Sequence, residues 1–357
     1  MSGVLIMAGG TGGHVFPALA VARRLRAREV PVAWLGTREG IEARVVPANA
    51  PDITMEWISI RGVRGGGVLR WLALPWRLLV AMTQAFRAMR RQRPQAVLSL
   101  GGFVAGPGGL VAWLTRTPLL IHEQNAIPGM TNKWLARFAD HVLTGFPNAF
   151  GDAKRARHVG NPVRAEILNV AEPAARFAAR SGRLRLLVVG GSQGARALNE
   201  IVPQAVRGFI AAERPEVWHQ CGRNAQELVE RAYGDTPARV SAFIDDMAAA
   251  YAWADLVICR AGAMTIAELA AAGVGAILVP FPQAVDDHQT ANARFLVERG
   301  AALLLPQPEL SATRLGDTLH QLADRAVLLK MAQAARSCRV PDADEVVARL
   351  CLEVAHA

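Results

Sequence analysis

Apolar positions along this chain gather into short runs, each ending at a glycine-rich or polar turn and followed by residues at helical spacing. Residues 4–8, 32–35, 96–100 and 118–121 read as strands, and 184–189 opens the same pattern in the second half. Behind the first strand, residues 18–28 predict a helix with Leu19, Ala22 and Leu25 on one face, and Pro17 in its first turn, where a missing donor costs nothing. A further helix is expected over 110–115. Another starts at Pro75, with Leu79, Met82, Phe86 and Met89 forming its core face and Trp76 and Val80 lying beside Arg77, Arg87 and Arg91. A last amphipathic helix follows Asp342, the expected N-cap, and carries Val346, Val347, Leu350 and Val354. Alternation of strand and helix predicts an α/β fold with parallel sheets.

The turns carry the candidate chemistry. Residues 9–17, GGTGGHVFP, sit between a strand and a helix, where a backbone without β-carbons can approach an anion and helix-end N–H groups can hold it. A phosphate site is therefore expected there. The dinucleotide fingerprint fails, because Val15 occupies its third glycine position and the second strand ends in Gly36-Thr37-Arg38 without an acid. A P-loop fails too, since no Gly-Lys-Ser/Thr follows. A second turn, GGFVAGPGG, spans 101–109, and a third, GGSQGARALN, spans 190–199. The third repeats the strand, turn and helix of the first, so two Rossmann-like domains are expected, with a boundary near Pro162.

Charge then separates the halves. The net charge is +10, and residues 1–150 hold 17 Lys and Arg against 7 Asp and Glu, so the whole excess is N-terminal. No acid occurs between Glu56 and Glu123, while nine arginines do, Arg61, Arg64, Arg70 and Arg93 among them. This segment is expected to meet an anionic surface or ligand. Its most apolar part, 68–93, is broken by Arg70, Pro75, Arg77 and Arg87, which leaves too short a clean run to span a bilayer; contact with an anionic membrane surface is expected instead. The four cysteines lack metal or disulfide spacing, and the N-terminus lacks a signal peptide, so a reducing, cytoplasmic setting is expected.

Polar residues cluster at strand ends, where open α/β sheets bind ligands. His122, Glu123, Gln124 and Asn125 follow the 118–121 strand, with Asn132 and Trp134 beyond them. In the second half, 255–268 places Glu268 on the helix after the Arg260-Ala261-Gly262 turn, and a carboxylate there can accept two hydrogen bonds from a ribose. An acid near a helix start is the plainer alternative. Such a pair of half-sites suits a nucleotide-activated donor and a second anionic substrate. The only D-x-D, at Asp342 and Asp344, reads as a helix cap, so no metal site is expected.

In order along almost the whole chain, GGTGGHVFPALAVA, GGFVAGPGG, IHEQNAIPGMTNKWLA, GNPVR, GGSQGARALN, RAGAMTIAELAAAG and VPFPQAVDDHQTANA closely resemble the MurG family, the peptidoglycan glycosyltransferases of bacteria. The resemblance implies a GT-B fold, two Rossmann-like domains with parallel sheets facing a central cleft. It implies transfer of N-acetylglucosamine from UDP-GlcNAc to the 4-hydroxyl of a lipid-linked muramyl-pentapeptide, at the cytoplasmic face of the inner membrane and without a cofactor. Residues 1–162 would form the acceptor and membrane-associating domain and 163–339 the donor domain, with 340–357 packing back on the first. Cell-wall and division proteins are candidate partners, and nucleic acid is not.

By the same resemblance, the donor site comprises Thr11, Gly12, Gly13, Asn125, Arg164, Ser192, Ile244, Ala263, Met264, Thr265, Ile266, Ala267, Glu268 and Gln289. Glu268 would hold the ribose, Ile244 the uracil and Gln289 the sugar. Phe103, Ala267 and His288 depart from the commoner Tyr, Ser and Gln, which weakens any claim for a hydroxyl at 103 or 267. An α-linked donor and a β-linked product imply one in-line displacement with one general base. His14 is the candidate, Glu123 the alternative, and His122 a positioning or packing residue. The opening loop then suits the acceptor's lipid diphosphate, with Thr11 to Gly13 reaching the donor. Rival readings are another GT-B nucleotide-sugar enzyme, such as an epimerase or natural-product glycosyltransferase, and a non-enzymatic nucleotide-sugar sensor at the membrane.

Overall fold

A computed structural model describes residues 3–60, 74–151, 156–191 and 193–355, in two compact units. One comprises Met1–Val163 with Asp342–Ala357, and the other Arg164–Pro341. In the first, β1 (Val4–Ala8), β2 (Val32–Gly36), β3 (Thr54–Trp57), β4 (Ala96–Gly101), β5 (Leu119–Glu123), β6 (His141–Thr144) and β7 (Ala156–His158) form a parallel sheet in the order β3-β2-β1-β4-β5-β6-β7. In the second, β8 (Arg185–Val189), β9 (Glu216–Gln220), β10 (Ala238–Ser241), β11 (Leu256–Cys259), β12 (Gly275–Leu278) and β13 (Ala302–Leu304) run β10-β9-β8-β11-β12-β13, also parallel. β1, β4 and β5 are buried along their whole length because helices cover both faces of their sheet, which is why they read as unbroken apolar runs.

Strand order reverses direction between β1 and β4, and between β8 and β11. At such a switch point the loops on either side diverge and leave a crevice beyond the strand ends. The turns after β1, β4, β8 and β11 are the ones singled out by their glycines or by Arg260.

Three expectations are corrected. The first helix begins at Gly12 rather than 18 and runs to Arg26, so Gly12, Gly13 and His14 are its first turn and Pro17 lies inside it. The helix expected over 110–115 begins at Ala105 and absorbs most of the second glycine turn. Its glycines are packing residues. A Cβ at Gly109 would stand 2.8 Å from the Leu135 methyls, and one at Gly108 would strike Met7. Bare backbone there lets the helix lie close on the sheet, and that gain outweighs the poor helix propensity of glycine.

The third correction concerns the Leu74–Gln92 helix. Its inward face is Ala81, Ala85, Ala88 and Met89, whereas Leu79 and Phe86, expected in the core, are 54% and 44% exposed. Trp76 is 69% exposed. Residues 76, 79, 83, 86 and 90 follow helical spacing, so Trp76, Leu79 and Phe86 share one outward stripe. The arginines at 61, 64 and 70 lie outside the described residues.

The final helix, Ala343–Ala355, returns to the first unit, where Val347, Ala348, Leu350 and Cys351 join its core. There Arg24 Nε donates to Asp344 at 2.7 Å. Asp342 adopts φ 57° and its carbonyl accepts from Val346 N. All four cysteines are buried thiols.

Candidate active site

In the first unit, Thr11 is the N-cap of the Gly12–Arg26 helix in extended conformation, with φ −133° and ψ 158°. A helix start leaves its first N–H groups without intrahelical acceptors, so Gly12 and Gly13 present donors at the crevice. His14 Nδ1 lies 3.1 Å from the Gly9 carbonyl oxygen and 3.2 Å from Thr11 Oγ1. With its proton on Nδ1 and donated to Gly9, the imidazole carries its basic lone pair on Nε2. Gly101, at φ +101°, makes room for the ring, since a Cβ there would stand 3.2 Å from His14 Cδ2 and Nε2.

β5 supplies the neighbouring wall. His122 is fully buried and bonded through Nε2 to the Gly160 carbonyl at 2.9 Å, and burial holds its pKa below the ordinary imidazole value. It joins β5 to the 160–162 segment and is a packing residue. Glu123 accepts Asn125 N at 2.9 Å and Asn125 Nδ2 at 3.1 Å on Oε1, and Gly129 N at 3.1 Å and Asn132 Nδ2 at 2.9 Å on Oε2. A carboxylate has about four acceptor sites, and these bonds commit them to shaping the 123–132 loop. That geometry speaks against the expected alternative role of Glu123 as a base. Asn125 is thereby oriented by Glu123.

The second unit assembles its own set of residues. Gly191 N donates to Gln220 Oε1 at 3.0 Å and Gln220 Nε2 returns a bond to Gly191 O at 2.8 Å, which clamps the turn after β8 to the end of β9. Ser192 lies outside the described residues. The Arg196–Arg207 helix starts behind this turn, with Ala195 as N-cap. A cavity of about 500 Å³ opens at that helix start, lined by Gln193, Gly194, Arg196, Arg260, Phe281 and Gln289 among others. Arg260 is held by the Val279 and Pro280 carbonyls at 3.1 and 3.2 Å and by Gln307 Oε1 at 2.6 Å, and burial lowers its pKa. Gln289 Oε1 accepts from Phe281 N at 2.9 Å, which fixes the amide at this cavity.

The Ala263–Ala272 helix follows β11. Ala263 and Ile266 point inward and are buried, while Met264, Thr265, Ala267 and Glu268 lie at intermediate depth. Glu268 Oε2 accepts from the Tyr251 hydroxyl at 3.0 Å, and Arg164 Nη2 stands 3.5 Å from Oε1. Burial raises the Glu268 pKa, and Arg164 opposes the rise. Ile244 is buried just beyond β10, two residues before Asp246, whose Oδ1 caps the Met247–Trp253 helix.

Tyr251, Gln220 and Glu42 were not singled out from the sequence. Glu42 follows the Gly36-Thr37-Arg38 turn, and an acid six residues past the end of that strand was the available signal. Tyr251 and Gln220 meet their partners 17 and 29 residues away, without a local pattern.

Residues 4–144 match the glycosyltransferase family 28 N-terminal domain and residues 185–347 the family 28 C-terminal domain. The chain is 59% identical over 355 residues to a relative from Nitrosococcus oceani, covering 99% of this chain and 98% of that protein. It is 58% identical over 356 residues to one from Alkalilimnicola ehrlichii, covering 99% of each. Both are named UDP-N-acetylglucosamine--N-acetylmuramyl-(pentapeptide) pyrophosphoryl-undecaprenol N-acetylglucosamine transferase. Among solved structures, Acinetobacter baumannii MurG superposes with a TM-score of 0.87 at 43% identity, covering 99% of this chain and 100% of that one. A kitacinnamycin glycotransferase, at 20% identity and TM-score 0.73, shares the fold. Two Rossmann-like units with parallel sheets agree with the GT-B class, and the chain belongs to glycosyltransferase family 28, among its MurG members.

Proposed function

We propose that this protein transfers N-acetylglucosamine from UDP-GlcNAc to the 4-hydroxyl of undecaprenyl-diphosphate-linked MurNAc-pentapeptide, with inversion at the anomeric carbon. The full-length identity to transferases named for that donor and acceptor carries the reading. Glu268, steadied by Tyr251 and Arg164, keeps lone pairs for the ribose hydroxyls. Ile244 takes the uracil, Gln289 the sugar, and the amides at the start of the Arg196–Arg207 helix, with Ser192, the departing diphosphate. Ala263 to Ala267 line the same donor edge, and Asn125 and Thr11 to Gly13 are assigned to the donor by the family resemblance.

His14 is the general base. Its Nδ1–H is committed to Gly9, so Nε2 receives the proton of the acceptor hydroxyl as that oxygen attacks the anomeric carbon and UDP leaves from the opposite face. The bond to the diphosphate breaks as the new glycosidic bond forms, and no covalent sugar intermediate is needed. Glu123 shapes the loop that carries Asn125.

The first unit seats the protein peripherally on the anionic cytoplasmic face of the bacterial membrane. Among the described residues no helix is long and apolar enough to cross a bilayer. Trp76, Leu79 and Phe86 nevertheless leave 69%, 54% and 44% of their surface exposed, each forgoing a good part of the roughly 1.5–3 kcal/mol that full burial supplies. Exposed Arg77, Arg87 and Arg90 flank them, and the neighbouring Ala105–Leu114 helix ends in exposed Trp113 and Leu114. Aromatic and aliphatic side chains among arginines suit the headgroup boundary. Proteins of cell-wall synthesis and division are candidate partners at that surface. NMR of the product tests the transfer: a β-configured N-acetylglucosamine on the muramyl 4-oxygen is expected, and an α linkage or another position overturns the reading.

A further inference from the structure

Glu42, at the start of the Glu42–Asn49 helix, is a completely buried carboxylate. Its Oε1 accepts Thr37 N at 2.9 Å and Thr37 Oγ1 at 2.8 Å, and its Oε2 accepts Gly10 N at 3.0 Å. Donors alone surround it, as suits an ionised carboxylate. Space for it is made by glycines: a Cβ would fall 2.6 Å from its side chain at Gly9, 2.8 Å at Gly36, and closer still at Gly40. A carboxylate supplied by the chain itself thus lies buried beneath the first glycine turn, between the ends of β1 and β2.

The peptide unit that Glu42 grips is the one that orients His14. Gly10 N–H and Gly9 C=O belong to the same amide; the N–H donates to Glu42 Oε2, and the C=O accepts from His14 Nδ1–H. A negative charge at the N–H end polarises the amide and makes its oxygen a stronger acceptor. We infer that Glu42 is a positioning residue that acts on His14 through the Gly9–Gly10 peptide, fixing its Nδ1–H tautomer and stabilising the imidazolium formed when Nε2 takes the acceptor's proton. The arrangement does the work of a carboxylate–histidine pair, with a peptide bond inserted between the partners. This rests on the reading of His14 as the base.

Other groups around the ring set the background against which the effect is read. Thr11 Oγ1 shares Nδ1, Gly101 faces Cδ2 and Nε2, and Asn132 Nδ2 stands 3.7 Å from where a Gly101 Cβ would lie. Asn132 leads in turn to Glu123. The carboxylates linked to this surround by the described bonds are therefore Glu42, through one amide of the backbone, and Glu123, through Asn132.

The test titrates His14 in the full-length protein by NMR with ring-labelled histidine, assigned against His14→Ala. In Glu42→Gln the His14 pKa is expected to fall by about half a unit or more, and the acidic limb of the kcat profile to move to lower pH with it. Glu42→Asp, which keeps the charge, should restore most of the shift. Thr37→Val weakens the carboxylate's anchorage but not its charge, and should leave the His14 titration in place. An unmoved pKa in Glu42→Gln, or an equal fall in Thr37→Val, overturns the proposal. If Glu42→Gln does not fold, the wild type still decides: the Gly10 amide proton should shift downfield as His14 protonates, with the same midpoint, and an indifferent Gly10 resonance overturns it. Full turnover in His14→Ala would instead remove His14 as the base while leaving the Glu42 titration result to stand on its own.

Discussion

Tyr251 donates its hydroxyl proton to Oε2 of Glu268 across 3.0 Å, joining the Met247–Trp253 helix to the Ala263–Ala272 helix at the position proposed for the ribose. One oxygen of the carboxylate is steadied from within the protein, and Arg164 stands beside the other. Removing the acceptor charge by Glu268→Gln should raise the KM for UDP-GlcNAc roughly 10- to 100-fold, the worth of hydrogen bonds to a charged group. Tyr251→Phe should raise it only a few-fold. Because burial raises the Glu268 pKa above the ordinary 4.5, protonation removes the ribose acceptor at a higher pH than for a solvated glutamate. UDP affinity measured by calorimetry should therefore weaken as pH falls through that raised pKa, and the dependence should vanish in Glu268→Gln.

His14→Ala should lower kcat by about 10²- to 10⁴-fold, the usual contribution of a general base, with little change in the KM for UDP-GlcNAc. Steady-state kinetics with both substrates varied separates the two effects. Turnover unchanged at saturation would remove His14 from the mechanism.

The outward stripe of the Leu74–Gln92 helix makes a prediction about membranes. Trp76→Ser with Leu79→Ser should keep the thermal midpoint close to that of the wild type, since neither side chain is buried. Sedimentation with vesicles containing anionic lipid should show a clear loss of binding, and wild-type binding should weaken as salt rises. Equal binding by variant and wild type would count against a membrane role for this face.

Glycines inside the Ala105–Leu114 helix should differ sharply. Gly108→Ala places a methyl against Met7 and 3.0 Å from Leu35 Cδ2, an overpacking that costs about 1–3 kcal/mol. Gly106→Ala meets only Thr131 Cγ2 at 3.8 Å and should gain roughly 0.5–1 kcal/mol from helix propensity. Denaturant unfolding of the two variants reads both signs.

Several of the strands, their parallel class and the pairing of glycine turns with strand ends were legible in the sequence because fully buried parallel strands leave unbroken apolar runs. Helix starts were not, since Gly12 and Gly13, or Gly106 to Gly109, read locally as turns although packing and crevice geometry make them helix. The outward position of Leu79 and Phe86 was hidden for a related reason: alanines at 81, 85 and 88 pack closely enough to take the core face from larger side chains. At the proposed site, Glu268 and His14 stand out in the sequence by the turns that carry them. Tyr251 and Glu42 depend on contacts that only the folded chain brings together, and Glu123 read as a chemical group until its four donors were in view.

The central claim is tested most directly by UDP release from UDP-GlcNAc by the purified protein, with and without a lipid-linked muramyl-pentapeptide acceptor, repeated in chelator. Release that depends on the acceptor and persists in chelator is the predicted result. Release without acceptor dependence, or none at all, would contradict the transfer, and loss of activity in chelator would contradict a reaction run by His14 and helix amides alone.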